Sequence, residues 1–322
     1  VVAAGRALAA GTVIGCAPRF GGSGSAMSTT PAAPLNAAAY HAGRRYVATS
    51  GGSVAYMDRG RGDVVLFLHG LPLNSYQWRG AIDRLSTTHR CIAPDFLGLG
   101  FSEVSEGQSV AAVAQADMLV ELLDRLSIRS AHVIANDSGG AVAQLLATRH
   151  RDRVQTMLLT NCDVEPDSPP PAVAPIVAMA REGTLVEKVI APWVADKARC
   201  RAEFGAAVYV NPAQLTDEVI DYYLAPVVST RRHTQSFMAY HLALDPNPLA
   251  GIESALKVCT VPTRIIWGMA DTIFSPKDAE YLDRTLPNSR GVRRIAEAKL
   301  FFPEEYPDLI AEEARRLWSG PR

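Results

Sequence analysis

The stretch Ala135-Asn136-Asp137-Ser138-Gly139-Gly140 separates an apolar run, His132-Val133-Ile134, from a helical pattern, Ala141-Val142-Ala143-Gln144-Leu145-Leu146-Ala147. Small residues two places either side of Asp137 let the chain make a tight strand-to-helix turn, a nucleophile elbow, which lifts the central side chain into a cleft above a sheet. Centring the turn on Ser138 instead puts Asn136 where a Gly or Ala fits best. It also loses the register of Gly139-Gly140-Ala141 that opens the helix. Taken alone, the segment also reads as a plain βα turn with a capping Asp, so its meaning depends on what else the chain carries.

Strand-like and helix-like segments alternate after residue 40. Tyr46-Val47-Ala48 and Val54-Ala55-Tyr56-Met57 read as an opening antiparallel pair, and Val64-Val65-Leu66-Phe67-Leu68 as a buried strand. Cys91-Ile92-Ala93-Pro94, His132 to Ala135, Met157-Leu158-Leu159 and Arg264-Ile265-Ile266-Trp267 continue the series, with helical periodicity from Val110 to Leu126. Such alternation predicts an α/β fold with a mainly parallel, doubly wound sheet. It stops after Thr160, where Glu165-Pro166-Asp167-Ser168-Pro169-Pro170-Pro171 breaks the chain. Helices are then expected over Ile176 to Ile190, Leu215 to Leu224 and Thr230 to Leu244. The expected organisation is a core of residues 39–163 and 250–322 with an inserted helical cap, 164–249.

The 322 residues carry a net charge of −1 with acids and bases interspersed, which gives no electrostatic footprint for nucleic acid and favours a small-molecule substrate. The five cysteines, Cys16, Cys91, Cys162, Cys200 and Cys259, are scattered without C-x-x-C or paired His spacing, so reduced thiols, a cytoplasmic setting, no metal and no cofactor are expected. Residues 1–38, rich in Ala, Gly, Ser and Pro, are expected to form a disordered tail, with Met27 a candidate true start. Val13-Ile14-Gly15-Cys16 resembles a lipoprotein cleavage box, leaving export through Cys16 as the alternative, although Arg6 alone makes a poor charged start. No apolar run reaches the 18 or so residues that span a bilayer, and nothing in the pattern speaks to oligomeric state.

Together these features resemble the α/β-hydrolase superfamily, and within it the haloalkane dehalogenase and epoxide hydrolase branch, in which an aspartate attacks carbon to form an ester. The resemblance spans roughly residues 45 to 318. His69-Gly70-Leu71-Pro72 is similar to the superfamily's oxyanion loop, so the amides of Leu71 and Ser138 are expected to face Asp137, with His69 a scaffold residue. Asp95 to Ser102 resembles the family's Gly-rich shaping loop. Trp267-Gly268-Met269-Ala270-Asp271 ends a strand where the family carries its triad acid, with Asp163 the fallback. The family's His is missing: no His follows His241, and Phe301 of Ala298-Lys299-Leu300-Phe301-Phe302-Pro303 occupies its slot. Candidate substitutes are His233 or His241 from the cap, or Lys299, Glu304 or Glu305 near that slot.

The two half-reactions depend differently on the absent imidazole. Attack by ionised Asp137 needs no base, whereas releasing the ester needs an activated water, a step for which a positioned base contributes about 10²–10⁴-fold. Slow ester breakdown is therefore expected. Where the resembled dehalogenases carry side-chain halide donors this chain has Leu71 and Ser138, which disfavours halides. Epoxide opening needs an acid for the leaving oxygen, and the resemblance assigns it to Tyr240, with Tyr209, Tyr222 and Tyr223 as other candidates. Three readings stand: an epoxide hydrolase-like enzyme acting on a small apolar substrate, a non-hydrolytic lyase or isomerase, and a binding protein descended from a hydrolase.

Overall fold

The computed structural model describes residues 35–320. Cys16, Met27 and most of the expected tail lie outside the described residues. Within them, Leu35 is already buried, its amide held by the Asp83 carboxylate, and a helix runs from Ala37 to Gly43 under an Asn36 cap.

Among the described residues nine strands form one sheet: β1 (Arg44–Thr49), β2 (Gly52–Arg59), β3 (Val64–Leu68), β4 (Arg90–Pro94), β5 (Glu103–Val104), β6 (Ala131–Asp137), β7 (Val154–Cys162), β8 (Thr263–Gly268) and β9 (Ser289–Ile295). The order is β1-β2-β4-β3-β6-β7-β8-β9, with β5 pairing on β2. β1 and β2 are an antiparallel entry pair, β2 lies antiparallel to β4, and every pairing from β4 to β9 is parallel. Central β3 and β6 are buried along nearly their whole length, as continuous apolar runs covered on both faces must be. β9, with five partly exposed and two exposed positions and no buried residue, closes the far edge.

Helices Ala112–Arg125, Ser138–Arg149, Pro276–Thr285 and Pro307–Ser319 cover the sheet. Helix Pro276–Thr285 opens with a capping box in which Ser275 and Asp278 satisfy each other's backbone amides. Between β7 and β8 the chain leaves the sheet for a helical excursion. Its main members are Ala174–Arg181, the run from Val186 to Ala195, Asp217–Ser229 and Arg231–Leu242, the last two capped by Thr216 and Thr230. The single helix anticipated over Ile176 to Ile190 is broken by Gly183, whose φ of +75° ends the first segment. No helix among the described residues is long and apolar enough to cross a membrane. The four described cysteines are free and buried.

Candidate active site

At the end of β6 the backbone turns sharply into helix Ser138–Arg149, and Asp137 sits at the corner with φ 57° and ψ −134°. That conformation is costly for a residue with a side chain and persists where the surroundings over-determine it. Here they do so by crowding. A Cβ on Gly139 would stand 2.6 Å from the Leu68 and His69 carbonyl oxygens, and one on Gly140 would stand 2.3 Å from Cys162 Cβ. The elbow needs both glycines for close approach to the flanking strands.

The Asp137 carboxylate is buried and takes two backbone donors on one oxygen. Leu71 N donates to Oδ1 at 3.0 Å and Ser138 N donates to the same Oδ1. Oδ2 receives no backbone amide among the described residues. Burial raises the Asp137 pKa, and the amides of Ser138 and Leu71 oppose that rise without cancelling it.

The loop that supplies Leu71 is fixed from behind. Gln77 Oε1 accepts from Gly70 N at 2.8 Å, and Gln77 Nε2 donates to Asn136 Oδ1 at 2.6 Å. Asn136 Nδ2 in turn reaches Thr160 Oγ1 at 2.9 Å and the carbonyls of Asn161 and Leu300 at 3.2 and 3.1 Å. One buried amide thus ties the oxyanion loop, the elbow, β7 and the loop before Phe301. His69 is also committed to scaffolding: Nδ1 pairs with the Gly70 carbonyl at 2.9 Å and Nε2 accepts from Phe96 N at 3.0 Å. Burial lowers its pKa, so it is a neutral imidazole with both nitrogens engaged. Asp95 bridges the Gly-rich loop, accepting from Ser75 N and Phe101 N at 2.9 Å each.

Phe301 is fully buried. A Cβ on Gly70 would stand 2.8 Å from its ring and 2.7 Å from Asp137 Cβ, so ring and carboxylate share the space beside Gly70. The ring packs on Phe204 and Tyr209 at centroid distances of 5.9 and 5.8 Å. Asp271 lies in the turn just after β8, where Asn161 Nδ2 donates to Oδ2 at 2.7 Å and Ile273 N to Oδ1 at 2.8 Å. With burial dominant, its pKa is pushed up to about 6.

Most candidate replacements for the imidazole are engaged elsewhere. Glu304 accepts from Arg79 and from the Tyr209 hydroxyl, each at 2.5 Å. Glu305 accepts from the amides of Val210 and Asn211, and Lys299 donates to the Ala206 carbonyl. His233 is held by Thr230 and Ser229 at the start of its helix and lines a different surface groove. His241 differs: it is buried, lines the same cavity as Asp137, and its Nδ1 pairs with the Phe237 carbonyl at 2.8 Å, which leaves Nε2 as the lone-pair nitrogen. Burial holds its pKa down at about 4.

The cavity above Asp137 has a volume of about 310 Å³ and is walled mostly by aliphatic and aromatic residues of the helical excursion between β7 and β8. Its titratable groups are Asp137, Asp163, Glu203 and His241. The expected tyrosines are not among its walls. The Tyr240 hydroxyl stands behind Ser138, donating to Ser138 Oγ at 3.3 Å; Tyr209 serves Glu304, Tyr222 contacts Arg44 and Tyr223 accepts from Arg79. The physical reason is helix phase: Tyr240 and His241 are adjacent on one helix, so turning one toward the cavity turns the other aside. Trp193 lines the cavity, but its Nε1 donates to Glu203 at 2.7 Å. Asp163 follows β7 directly, beside the elbow, since Asp137 pairs with Cys162 in the sheet. Ser168 Oγ donates to its Oδ1 at 2.8 Å, and burial, with Asp137 adding to it, pushes its pKa up to about 7.

Against known proteins, the sequence profile described as the alpha/beta hydrolase fold matches residues 63–306. The chain belongs to this family. Among the family's curated members, the haloalkane dehalogenase 2 of Mycobacterium bovis is 27% identical over 292 residues, covering 83% of this chain and 92% of that protein. The cis-3-alkyl-4-alkyloxetan-2-one decarboxylase of Shewanella oneidensis is 26% identical over 243 residues, covering 72% and 74%. In solved structures the same hydrolase fold recurs in the epoxide hydrolase CorEH, with a TM-score of 0.72, 23% identity and 86% and 98% of the two chains covered. A Burkholderia ambifaria alpha/beta hydrolase fold protein matches with a TM-score of 0.72, 24% identity and coverage of 84% and 96%.

Proposed function

We propose that this alpha/beta hydrolase fold protein opens a small apolar epoxide through an ester on Asp137 and then hydrolyses that ester slowly. The observation that carries the reading is the pair of amides on Oδ1. In the first step Oδ2 attacks a ring carbon, the C–O bond breaks, and the ring oxygen leaves with the electron pair. Oδ1 then becomes the ester carbonyl oxygen. When water adds to that ester, negative charge develops on Oδ1, where Leu71 N and Ser138 N already point. Two donors on that oxygen serve a hydrolytic second step, which a binding protein or a simple base would not need. An apolar cavity suits an apolar ring substrate.

Halide displacement has weaker support. Leu71 and Ser138 offer no side-chain N–H, and the Trp193 indole is held by Glu203. On matched carbon skeletons, diol formation from the epoxide is therefore expected to outpace halide release from the bromide.

The test is a single turnover of an aryl epoxide in ¹⁸O-water. Label entering the Asp137 carboxylate before the diol, with an intact-mass adduct on Asp137 that is absent in Asp137→Ala, is the expected result. Label appearing directly in the first-turnover diol would overturn the reading.

Phe301 favours one second reading, because a reaction that needs no water has no use for the missing imidazole. The decarboxylase relative acts, by its name, on a four-membered cyclic ester. In such a ring, Oδ2 attack at the carbon bearing the ring oxygen would release a carboxylate. Loss of CO₂ would then form the C=C bond and expel Asp137, with no proton or water consumed. Alkene and CO₂ from a cis-3,4-dialkyloxetan-2-one, without diol from epoxides, is the outcome that selects it.

A further inference from the structure

Asp137 and Asp163 are two carboxyl groups at adjacent strand ends, both buried and both lining one cavity. No Lys, Arg or His pairs with either among the described residues. The groups facing Asp163 are Asp137 on the elbow, Cys162 on its own strand, Asp167 on the following turn and Tyr240 on the cap helix, all acidic or neutral. Ser168, whose Oγ donates to Asp163 Oδ1, is a neutral donor. Two carboxylates sharing a low-dielectric site without a cation cannot both ionise readily, and the one without backbone amide donors from the elbow keeps the proton. Asp137 has those donors on Oδ1; Asp163 does not.

We propose, resting on the ring-opening reading, that Asp163 is the proton-transfer residue of both half-reactions. In the first, the Asp163 O–H proton passes to the ring oxygen as Asp137 Oδ2 forms the C–O ester bond and the ring C–O bond breaks; Asp163 becomes a carboxylate. In the second, that carboxylate takes a proton from the attacking water as hydroxide adds to the Asp137 ester carbonyl. Collapse of the adduct expels the alkoxide, which takes the proton of the newly added hydroxyl to give the diol, and Asp137 returns to carboxylate. Asp163 ends protonated and ready for the next turnover. One carboxyl acting first as acid and then as base is the logic by which retaining glycosidases manage two steps with two carboxyls. It supplies the acid role for which no tyrosine lines the cavity and the base role of the imidazole expected where Phe301 stands.

The experiment uses the full-length protein with two alkylating probes, an aryl epoxide, whose leaving oxygen needs a proton, and a benzyl sulfonate, whose leaving group does not. Adduct formation on Asp137 is followed by intact mass. With wild type, both probes label Asp137, epoxide labelling falls above about pH 7 while sulfonate labelling does not, and the ester formed from either is slowly hydrolysed. In Asp163→Asn, sulfonate labelling persists within a few-fold, which also reports a folded site. Epoxide labelling falls at least ~100-fold, the scale of a lost general acid, and the sulfonate-derived ester accumulates without hydrolysis. Epoxide labelling of Asp163→Asn at the wild-type rate, or parallel pH profiles for both probes in wild type, overturns the role of Asp163 while leaving Asp137 as nucleophile. Failure of both probes to label wild-type Asp137 overturns the ring-opening reading itself.

Discussion

Phe301 is proposed to limit ester breakdown, because its buried ring shares the space beside Gly70 with the Asp137 carboxylate, where a water-activating imidazole is expected. Its ring is locked between Gly70, Phe204 and Tyr209. Phe301→His is expected to speed ester hydrolysis by ~10-fold or more, within the range a positioned base contributes, while leaving adduct formation within a few-fold. Single-turnover mass spectrometry separates the two rates, and unchanged ester lifetime would show that the slot cannot hold a working imidazole. The same variant should be less stable, since a polar ring replaces a phenyl in a dry cluster. Asn136 is the complementary case, a residue with no chemistry whose loss should matter. Asn136→Ala strands the Gln77 amide and the Leu300 carbonyl, and each buried group left unpaired costs about 1–3 kcal/mol. Thermal unfolding should show a drop of several degrees; a change near zero would mean the four segments hold together without it.

Glycine placement and strand character account for what could be read at the level of elements. Gly139 and Gly140 were legible as an elbow because close backbone approach leaves no alternative residue there. Gly140→Ala should overpack against Cys162, costing about 1–3 kcal/mol, and slow labelling of Asp137 by tilting the corner; unaltered melting and labelling would sink that account. Central strands were legible as apolar runs, whereas β9, Ser289-Arg290-Gly291-Val292-Arg293-Arg294-Ile295, was not anticipated because an edge strand needs no continuous apolar pattern. The excursion between β7 and β8 was readable as helical but not in its joints, since Gly183 breaks one expected helix and the short helical segments between Lys197 and Val208 lack a clear apolar period. At the site, Asp137, Leu71, Ser138, Asp271 and Phe301 came from motif position, which fixes backbone placement well. Which way the cap side chains face did not, because a one-residue step on a helix exchanges Tyr240 for His241. Asp163 was visible as a residue but not as a cavity wall, since its surroundings arrive from Ser138, Ser168 and the cap.

Over the whole molecule, the buried acids make stability depend on pH in an unusual direction. Burial is the first cause for Asp163, Asp278 and Asp271, pushed up to about 7, 7 and 6, and for Asp137, which is raised as well. A carboxyl whose folded pKa exceeds its unfolded value, 3.8 for Asp, keeps its proton longer in the folded chain. Between about pH 4 and 7 the folded state therefore binds more protons than the unfolded state, and stability contributed by these groups falls as pH rises across that window. Above pH 7 the full penalty of the ionised, buried carboxylates is present. Asp163→Asn removes one carboxylate's share of it at a position where Ser168 can still donate to the amide oxygen. Its melting temperature should exceed that of wild type at pH 8 by ~2 °C or more, the shift that ~1 kcal/mol produces in a large domain. At pH 4.5, where Asp163 is protonated in the fold, the gain should largely vanish. An equal gain at both pH values would assign it to packing, and a loss at pH 8 would mean that the ionised carboxylate is held by partners stronger than Ser168. The same substitution that is proposed to slow epoxide opening is thus expected to stabilise the fold, as happens where a site keeps a group for its chemistry at the expense of the folded state.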